Sequence, residues 1–177
     1  EEEKAMLINV TAVKNLTYFS QTHSIPLIHL STDYVFDGTK ATAYFEADKT
    51  NPVTAYGRTK LAGETEALKA FKCVVIRTSW LYSKFGHNFV KTMLRLGKEK
   101  EEINVVNDQT GSPTNGADLA KAIIRILELS LRDGKNFISG IYHYSNEGSC
   151  TWFEFASEIM KLAGLKCTVH PVNTDQY

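Results

Sequence analysis

The sequence predicts an α/β protein built on an open, mainly parallel sheet, and two observations carry that expectation. A short apolar run at positions 25–30 and a β-branched one at 73–78 read as buried strands, and longer segments with helical spacing lie between such runs. Strands that alternate with helices of this length favour parallel crossovers, and sheets of this kind bind ligands beyond the carboxyl ends of their strands. Length agrees with this class: 177 residues, 43% hydrophobic and 23% charged, make one domain or parts of two small ones.

Taken in order, Leu7, Ile8, Val10, Val13 and Leu16 recur at helical spacing and predict an amphipathic helix over residues 1–18. No capping residue precedes it, so the chain reads as entering inside an element. Residues 25–30 then predict a strand, closed by the polar Ser31, Thr32 and Asp33. The Asn51-Pro52 pair predicts the start of a second helix running to about residue 71, because proline suits a first helical turn. Residues 73–78 (C-V-V-I-R-T) predict the next strand, followed by a Gly-containing loop at 83–87, a helix over 88–96 and a short strand over 103–106. Residues 107–115 read as a loop in which Gly111 and Pro113 stop either regular structure. A helix over 116–131 carries Leu119, Ile123, Ile124 and Leu127 on an apolar stripe, with Asp118 near its positive end. Residues 140–145 alternate as a strand. Thr151 and Glu154 form a capping box for a helix bearing Phe155, Ile159, Met160 and Leu162, for which Gly164 is the C′ residue. A last strand spans 167–172.

Composition narrows the function classes. Twenty Lys plus Arg balance twenty Asp plus Glu, which removes the positive footprint of a nucleic-acid or membrane-surface binder. No apolar run reaches the roughly 18 residues of a membrane span, and the acidic start Glu1-Glu2-Glu3 is unlike a signal peptide, so a cytoplasmic location is expected. Cys73, Cys150 and Cys167 form no C-x-x-C pair and are expected as reduced thiols. The five histidines show no ligand spacing, so no metal site is predicted; His29, inside an apolar run, reads as a packed strand residue.

Chemistry enters with Tyr56 and Lys60, four apart on one helix face, and with Thr32 at the end of a buried strand. A phenol with an ordinary pKa near ~10 is a poor acid at neutrality, but a neighbouring ammonium favours the phenolate and lets it act as a proton donor. A threonine hydroxyl within reach of the same oxygen polarises a carbonyl, and a lysine can also hold ribose hydroxyls. The task that suits this set is giving a proton to an alkoxide as hydride reaches carbon. On these residues alone, Tyr56 as a packing residue and Lys60 as a solvated one is an equal alternative.

The strings S-T-D-Y-V-F-D-G from Ser31, N-P-V-T-A-Y-G-R-T-K-L-A-G-E from Asn51, R-T-S-W-L-Y from Arg77 and G-H-N-F-V-K-T-M-L from Gly86 resemble the dTDP-4-dehydrorhamnose reductases. These are extended short-chain dehydrogenase/reductases. The resemblance continues through V-V-N-D-Q-T-G-S-P-T from Val105, A-D-L-A from Ala117 and Y-H-Y-S-N-E-G-S-C-T-W-F-E-F-A from Tyr142. It implies a partial Rossmann-like, doubly wound parallel sheet over residues 1–80, to which 114–131 return, and a smaller α/β substrate-binding part over 81–113 and 138–177. It further implies Tyr56 as proton donor, Lys60 as its partner and a cofactor-ribose ligand, and Thr32 as third catalytic member. Leu30 would border the cofactor through its backbone, and Asp33 and Trp80 would contact the sugar nucleotide, the Trp80 ring covering an apolar sugar face. Asn88, Gln109 and Thr114 carry only a weak implied pocket role.

The implied reaction is NADPH- or NADH-dependent reduction of the 4-keto group of dTDP-4-dehydro-L-rhamnose to dTDP-L-rhamnose, a precursor of cell-surface polysaccharide. The resemblance also admits Mg2+ and a homodimer. One departure is plain: the first glycine is Gly38, so the Gly-rich pyrophosphate turn of such folds is not in this sequence. The chain therefore reads as a piece lacking both ends, expected to bind NADPH poorly and to be inactive alone. Two rivals stand beside this reading. A nucleotide-sugar dehydratase or epimerase of the same superfamily is disfavoured because Thr32-Asp33 is followed by Tyr34 where a dehydratase carries a glutamate base. A non-catalytic subunit like the regulatory subunit of methionine adenosyltransferase shares S-T-D-Y-V-F-D-G but not R-T-S-W-L-Y.

Overall fold

The computed structural model describes residues 2–133 and 137–176. The outermost positions of the two expected parts, residues 1 and 177, lie outside the described residues. The helices are α1 (Glu2–Met6), α2 (Ala12–His23), α3 (Ala55–Ala67), α4 (Phe89–Glu99), α5 (Gly116–Asp133) and α6 (Trp152–Leu162), and a π-helical turn, Leu7–Thr11, joins α1 to α2. The strands are β1 (Leu27–Thr32), β2 (Cys73–Thr78), β3 (Leu81–Tyr82), β4 (Glu102–Val106), β5 (Thr110–Gly111), β6 (Thr114–Asn115), β7 (Gly140–His143), β8 (Cys150–Thr151) and β9 (Thr168–Val172). Two compact units result, Glu1–Thr78 with Lys121–Tyr144, and Ser79–Ala120 with Ser145–Tyr177; the second boundary falls within α5.

The first unit holds a parallel sheet in the order β1-β2-β7, with Leu27 opposite Cys73 and Val74 opposite Gly140. Cys73 through Arg77 are all buried, which is why the central strand is apolar without alternation. Val13, Ala67, Cys73 and Val75 form the core on the helix side. The first helix differs from expectation. Its buried face is Val13, Thr17 and Ser20, whereas Leu7 and Ile8 are about 60% exposed and Leu16 is 55% exposed. The π turn breaks the single 3.6-residue register that the apolar spacing assumes. Polar groups then meet partners across the contact: Asn9 Nδ2 donates to Thr59 Oγ1 (3.0 Å) and Thr17 Oγ1 to the Glu66 carbonyl (3.1 Å).

The second helix also starts later than Asn51-Pro52 predicts. Thr54 is the N-cap, its hydroxyl accepting from Gly57 N at 3.0 Å, an acceptor that proline cannot offer. It ends at Ala67, short of residue 71. In α5 the expected stripe is only partly buried, with Ile124 and Leu127 exposed. Ala122, Ile126 and Leu129 instead line a cavity of about 300 Å³ over Val74, Ile76 and Tyr142. The stripe that meets the sheet is thus rotated from the one that spacing selected.

In the second unit β4 and β9 pair in parallel from Glu102–Thr168 to Val106–Val172, and α4 and α6 cover them through Met93, Ile103, Val105, Ala156, Ile159, Met160 and Cys167. The segment 107–115 is not a plain loop: Thr110–Gly111 pairs antiparallel with Cys150–Thr151, and Thr114–Asn115 pairs in parallel with Leu81–Tyr82. Pro113 sits between these two short pairings, where no ladder donor is needed. The capping box is formed, with Glu154 N on Thr151 Oγ1 (3.1 Å) and Thr151 N on Glu154 Oε2 (2.7 Å). Gly164, at φ +63°, closes α6 as expected. All three cysteines are free thiols, and burial pushes Cys73 up to about 11. Among the described residues no helix is long and apolar enough to cross a membrane.

Candidate active site

The site is built at the carboxyl end of β1. Thr32 is buried and extended, at φ −141° and ψ 157°. Its Oγ1 accepts from Tyr34 N (3.3 Å), capping the 3-10 turn Asp33–Val35, and donates to Asp33 Oδ1 (3.1 Å). The first turn of α3 lies directly against this turn. Gly57 makes that approach possible, since a Cβ there would collide with the Tyr34 carbonyl oxygen. The rings of Tyr34 and Tyr56 consequently meet edge to face at 5.7 Å. One helical turn later, Lys60 Nζ donates to the Leu30 carbonyl at 2.7 Å. Leu30, Thr32, Asp33, Tyr56 and Lys60 are thereby gathered at one strand end.

Burial shapes the charges around it. Desolvation lowers the Lys60 pKa, opposed by the nearby Glu64 carboxylate. Desolvation raises Asp33, against the hydrogen bond from Thr32. Tyr34 is raised by burial and then by the Asp33 and Tyr56 charges. His29 is lowered to about 4 by burial and by Lys60, with Glu64 acting in the other direction. Tyr56 is half exposed, and among the described residues its hydroxyl has no hydrogen-bond partner. A phenol open to solvent, one helical turn before Lys60 and set against the strand end that carries Thr32, can pass a proton to an incoming oxygen.

Sequence reasoning missed the support beneath this site. Glu64, four residues after Lys60, is buried and makes a two-pronged ion pair with Arg77 on β2, Oε1 to Nε at 2.9 Å and Oε2 to Nη2 at 2.7 Å. An arginine inside an otherwise apolar strand was the available signal, since such a charge requires a buried partner. Arg77 also lies over the Phe36 ring, 5.1 Å from its centre.

Trp80 belongs to the second unit. Its backbone is left-handed at φ +46°, and its ring stacks on Trp152 at 3.4 Å between centres. Asn88 caps α4, accepting from Lys91 N, and Gln109 Nε2 donates to Thr174 Oγ1. Thr114 is fully buried with no partner for its hydroxyl among the described residues. Among the described residues no group of three His, Cys, Asp or Glu side chains could hold a metal ion.

Residues 1–177 match, end to end, the family described as the RmlD substrate binding domain. The chain belongs to that family. Among RmlD relatives, a dTDP-4-dehydrorhamnose reductase of Sinorhizobium fredii is 39% identical over 100% of this chain and 62% of its own length. The spore coat polysaccharide biosynthesis protein SpsK of Bacillus subtilis is 42% identical over 100% of this chain and 60% of its own. The crystal structure of a Bacillus anthracis dTDP-4-dehydrorhamnose reductase in complex with NADP superposes with a TM-score of 0.92 at 46% identity, covering 100% of this chain and 62% of that one. This RmlD-family chain therefore spans about 60% of the length of the curated relatives it matches.

Proposed function

We propose that the protein reduces the 4-keto group of dTDP-4-dehydro-L-rhamnose to give dTDP-L-rhamnose, using NADPH or NADH, in the cytoplasm. One observation carries the reading: α3 seats Tyr56 and Lys60 against the strand end that bears Thr32, with Lys60 Nζ on the Leu30 carbonyl. The names of the reductases from S. fredii and B. anthracis, and the NADP in the latter's crystal, support the substrate and the cofactor.

The residues present fit the nicotinamide half of such a cofactor. An ammonium has three protons, and Lys60 gives one to Leu30, which leaves donors for ribose hydroxyls beside the backbone of Leu30. The bound cofactor would supply the hydride. Tyr56 would give its proton to the sugar oxygen that becomes a hydroxyl, while Lys60 stabilises the phenolate left behind. Thr32 would turn its hydroxyl proton from Asp33 to that same oxygen, and Asp33 would accept from a sugar hydroxyl. In this reading the first unit serves the cofactor and the second serves the sugar nucleotide, with Trp80 as a contact. A homodimer is part of the proposal by resemblance alone.

A dTDP-glucose 4,6-dehydratase from B. anthracis, 19% identical at a TM-score of 0.76, shares this fold, so the fold does not separate reduction from elimination. By the resemblance, Tyr34 stands where a dehydratase carries its glutamate base, and burial raises the Tyr34 pKa, which keeps the phenol protonated and favours reduction over elimination. The test is Tyr56→Phe in the full-length protein, assayed with dTDP-4-dehydrorhamnose and NADPH. Turnover should fall at least ~100-fold with KM nearly unchanged, and near-normal turnover would defeat the assignment. Co-purification with a synthetase subunit, without ketosugar turnover by the wild type, would favour the non-catalytic alternative.

A further inference from the structure

The second unit contains an arrangement around Trp80 that the catalytic reading does not use. Trp80 is one of two non-glycine residues with positive φ among those described, an unusual backbone state for a bulky side chain, and several contacts hold it there. Its carbonyl accepts from Thr114 N (3.2 Å), the preceding Ser79 hydroxyl donates to the Ser112 carbonyl (2.7 Å), and the following Leu81 pairs with Thr114. The segment carrying Gly111 is thus laced to the backbone on both sides of Trp80.

The ring itself is closed on both faces. Trp152 stacks on one face with its plane only 10° from parallel, and Phe89 supports Trp152 from a ring centre 4.5 Å away. On the other side, a Cβ added to Gly111 would sit 2.6 Å from Cζ2 and 2.7 Å from Nε1 of Trp80, and closer still to Cε2 between them. A point nearest the middle atom and nearly equidistant from its two neighbours lies over the ring face; beyond the rim, the two outer atoms would be nearer. It cannot be the face that Trp152 occupies, because two groups would then share one space. Trp80 is therefore sandwiched between an indole and a glycine backbone, and the face-on cover of a sugar expected from the sequence has no free face to use. What is left is the rim, and among the described residues nothing accepts from Nε1–H.

We propose that Gly111 and Trp152 are positioning residues that clamp Trp80 so that it meets the sugar nucleotide edge-on, donating its indole N–H to a ligand oxygen. The inference rests on the sugar-nucleotide reading above. An indole can donate and cannot accept, so the partner is an acceptor, a sugar oxygen or a phosphate oxygen. The clamp makes the donor rigid, and a fixed donor loses little freedom when it binds.

The test compares Trp80→Phe, Gly111→Ala and their combination in the full-length protein. Phenylalanine keeps an aromatic face and loses the N–H, so KM for dTDP-4-dehydrorhamnose should rise about 10-fold with kcat little changed. Gly111→Ala should raise KM similarly by pushing the ring away, yet add little in the Trp80→Phe background, because both remove one contact. A Trp80→Phe KM within about two-fold of wild type would overturn the edge-on contact. Fully additive effects would overturn the role of Gly111. A wild type without turnover would instead defeat the substrate reading on which the inference stands. Should Gly111→Ala fail to fold, Trp80→Phe decides, and Trp152→Leu, expected to raise KM while Trp152→Phe restores it, replaces the second arm.

Discussion

Replacing Glu64 with glutamine should destabilise the first unit more than any exposed charge change. The Glu64 and Arg77 side chains are 2% and 4% exposed, and both carboxylate oxygens are engaged by the guanidinium at 2.9 and 2.7 Å. Arg77 Nη1 already lacks a partner among the described residues, so the carboxylate is the main compensation for a buried cation. Glutamine keeps the size but removes the charge. Breaking one side of such a pair costs about 3–5 kcal/mol. In a chain of this length each kcal/mol moves the melting temperature by about 2–4 °C, giving a fall of roughly 6–20 °C. Hydrogen exchange at the amides of α3 and β2 assigns the loss to the right unit, since two compact units need not melt together. A loss below ~1 kcal/mol, or one confined to the second unit, would refute the reasoning. A paired replacement, Glu64→Leu with Arg77→Met, should recover much of the loss, because it leaves no unpaired charge. If the double variant is as unstable as the single one, the stranded cation is not the cause.

Two further perturbations follow from local geometry. His29 has its pKa lowered from 6.5 to about 4, so its contribution is present above pH 6.5 and is lost as pH falls through 4. That shift corresponds to at most ~3 kcal/mol, and His29→Asn should flatten the fall in urea midpoint between pH 7 and pH 4; parallel pH profiles would count against it. Thr151→Ala removes the reciprocal cap of α6 and should cost about 1 kcal/mol in urea unfolding, with Thr151→Ser close to wild type; an equal loss in both would point away from the hydroxyl.

What the sequence determined by itself is what depends on neighbours in the chain. Cys73–Thr78 is legible as a strand because Val74, Val75 and Ile76 are β-branched and apolar whichever face they take, and the Thr151–Glu154 box is complete within four residues. The four-residue spacing puts Tyr56 and Lys60 on one helix face and Thr32 closes the preceding strand, while their roles come from the resemblance alone. Tertiary structure alone decided which helix faces turned inward. Leu7, Ile8 and Leu16 lie outside while Val13, Thr17 and Ser20 lie inside: the π turn offsets Leu7 and Ile8 from the helix that follows, and within that helix the polar face finds partners, Thr17 Oγ1 donating to the Glu66 carbonyl and Ser20 Oγ accepting from Phe71 N. It decided, too, that Glu64 meets Arg77 and that Gly111 closes the second face of Trp80. Those contacts join residues on different elements, and one side chain's burial depends on which atoms arrive opposite it. Spacing along a chain specifies a residue's own direction; the partner that makes a buried charge or a closed ring tolerable is specified only when the elements pack.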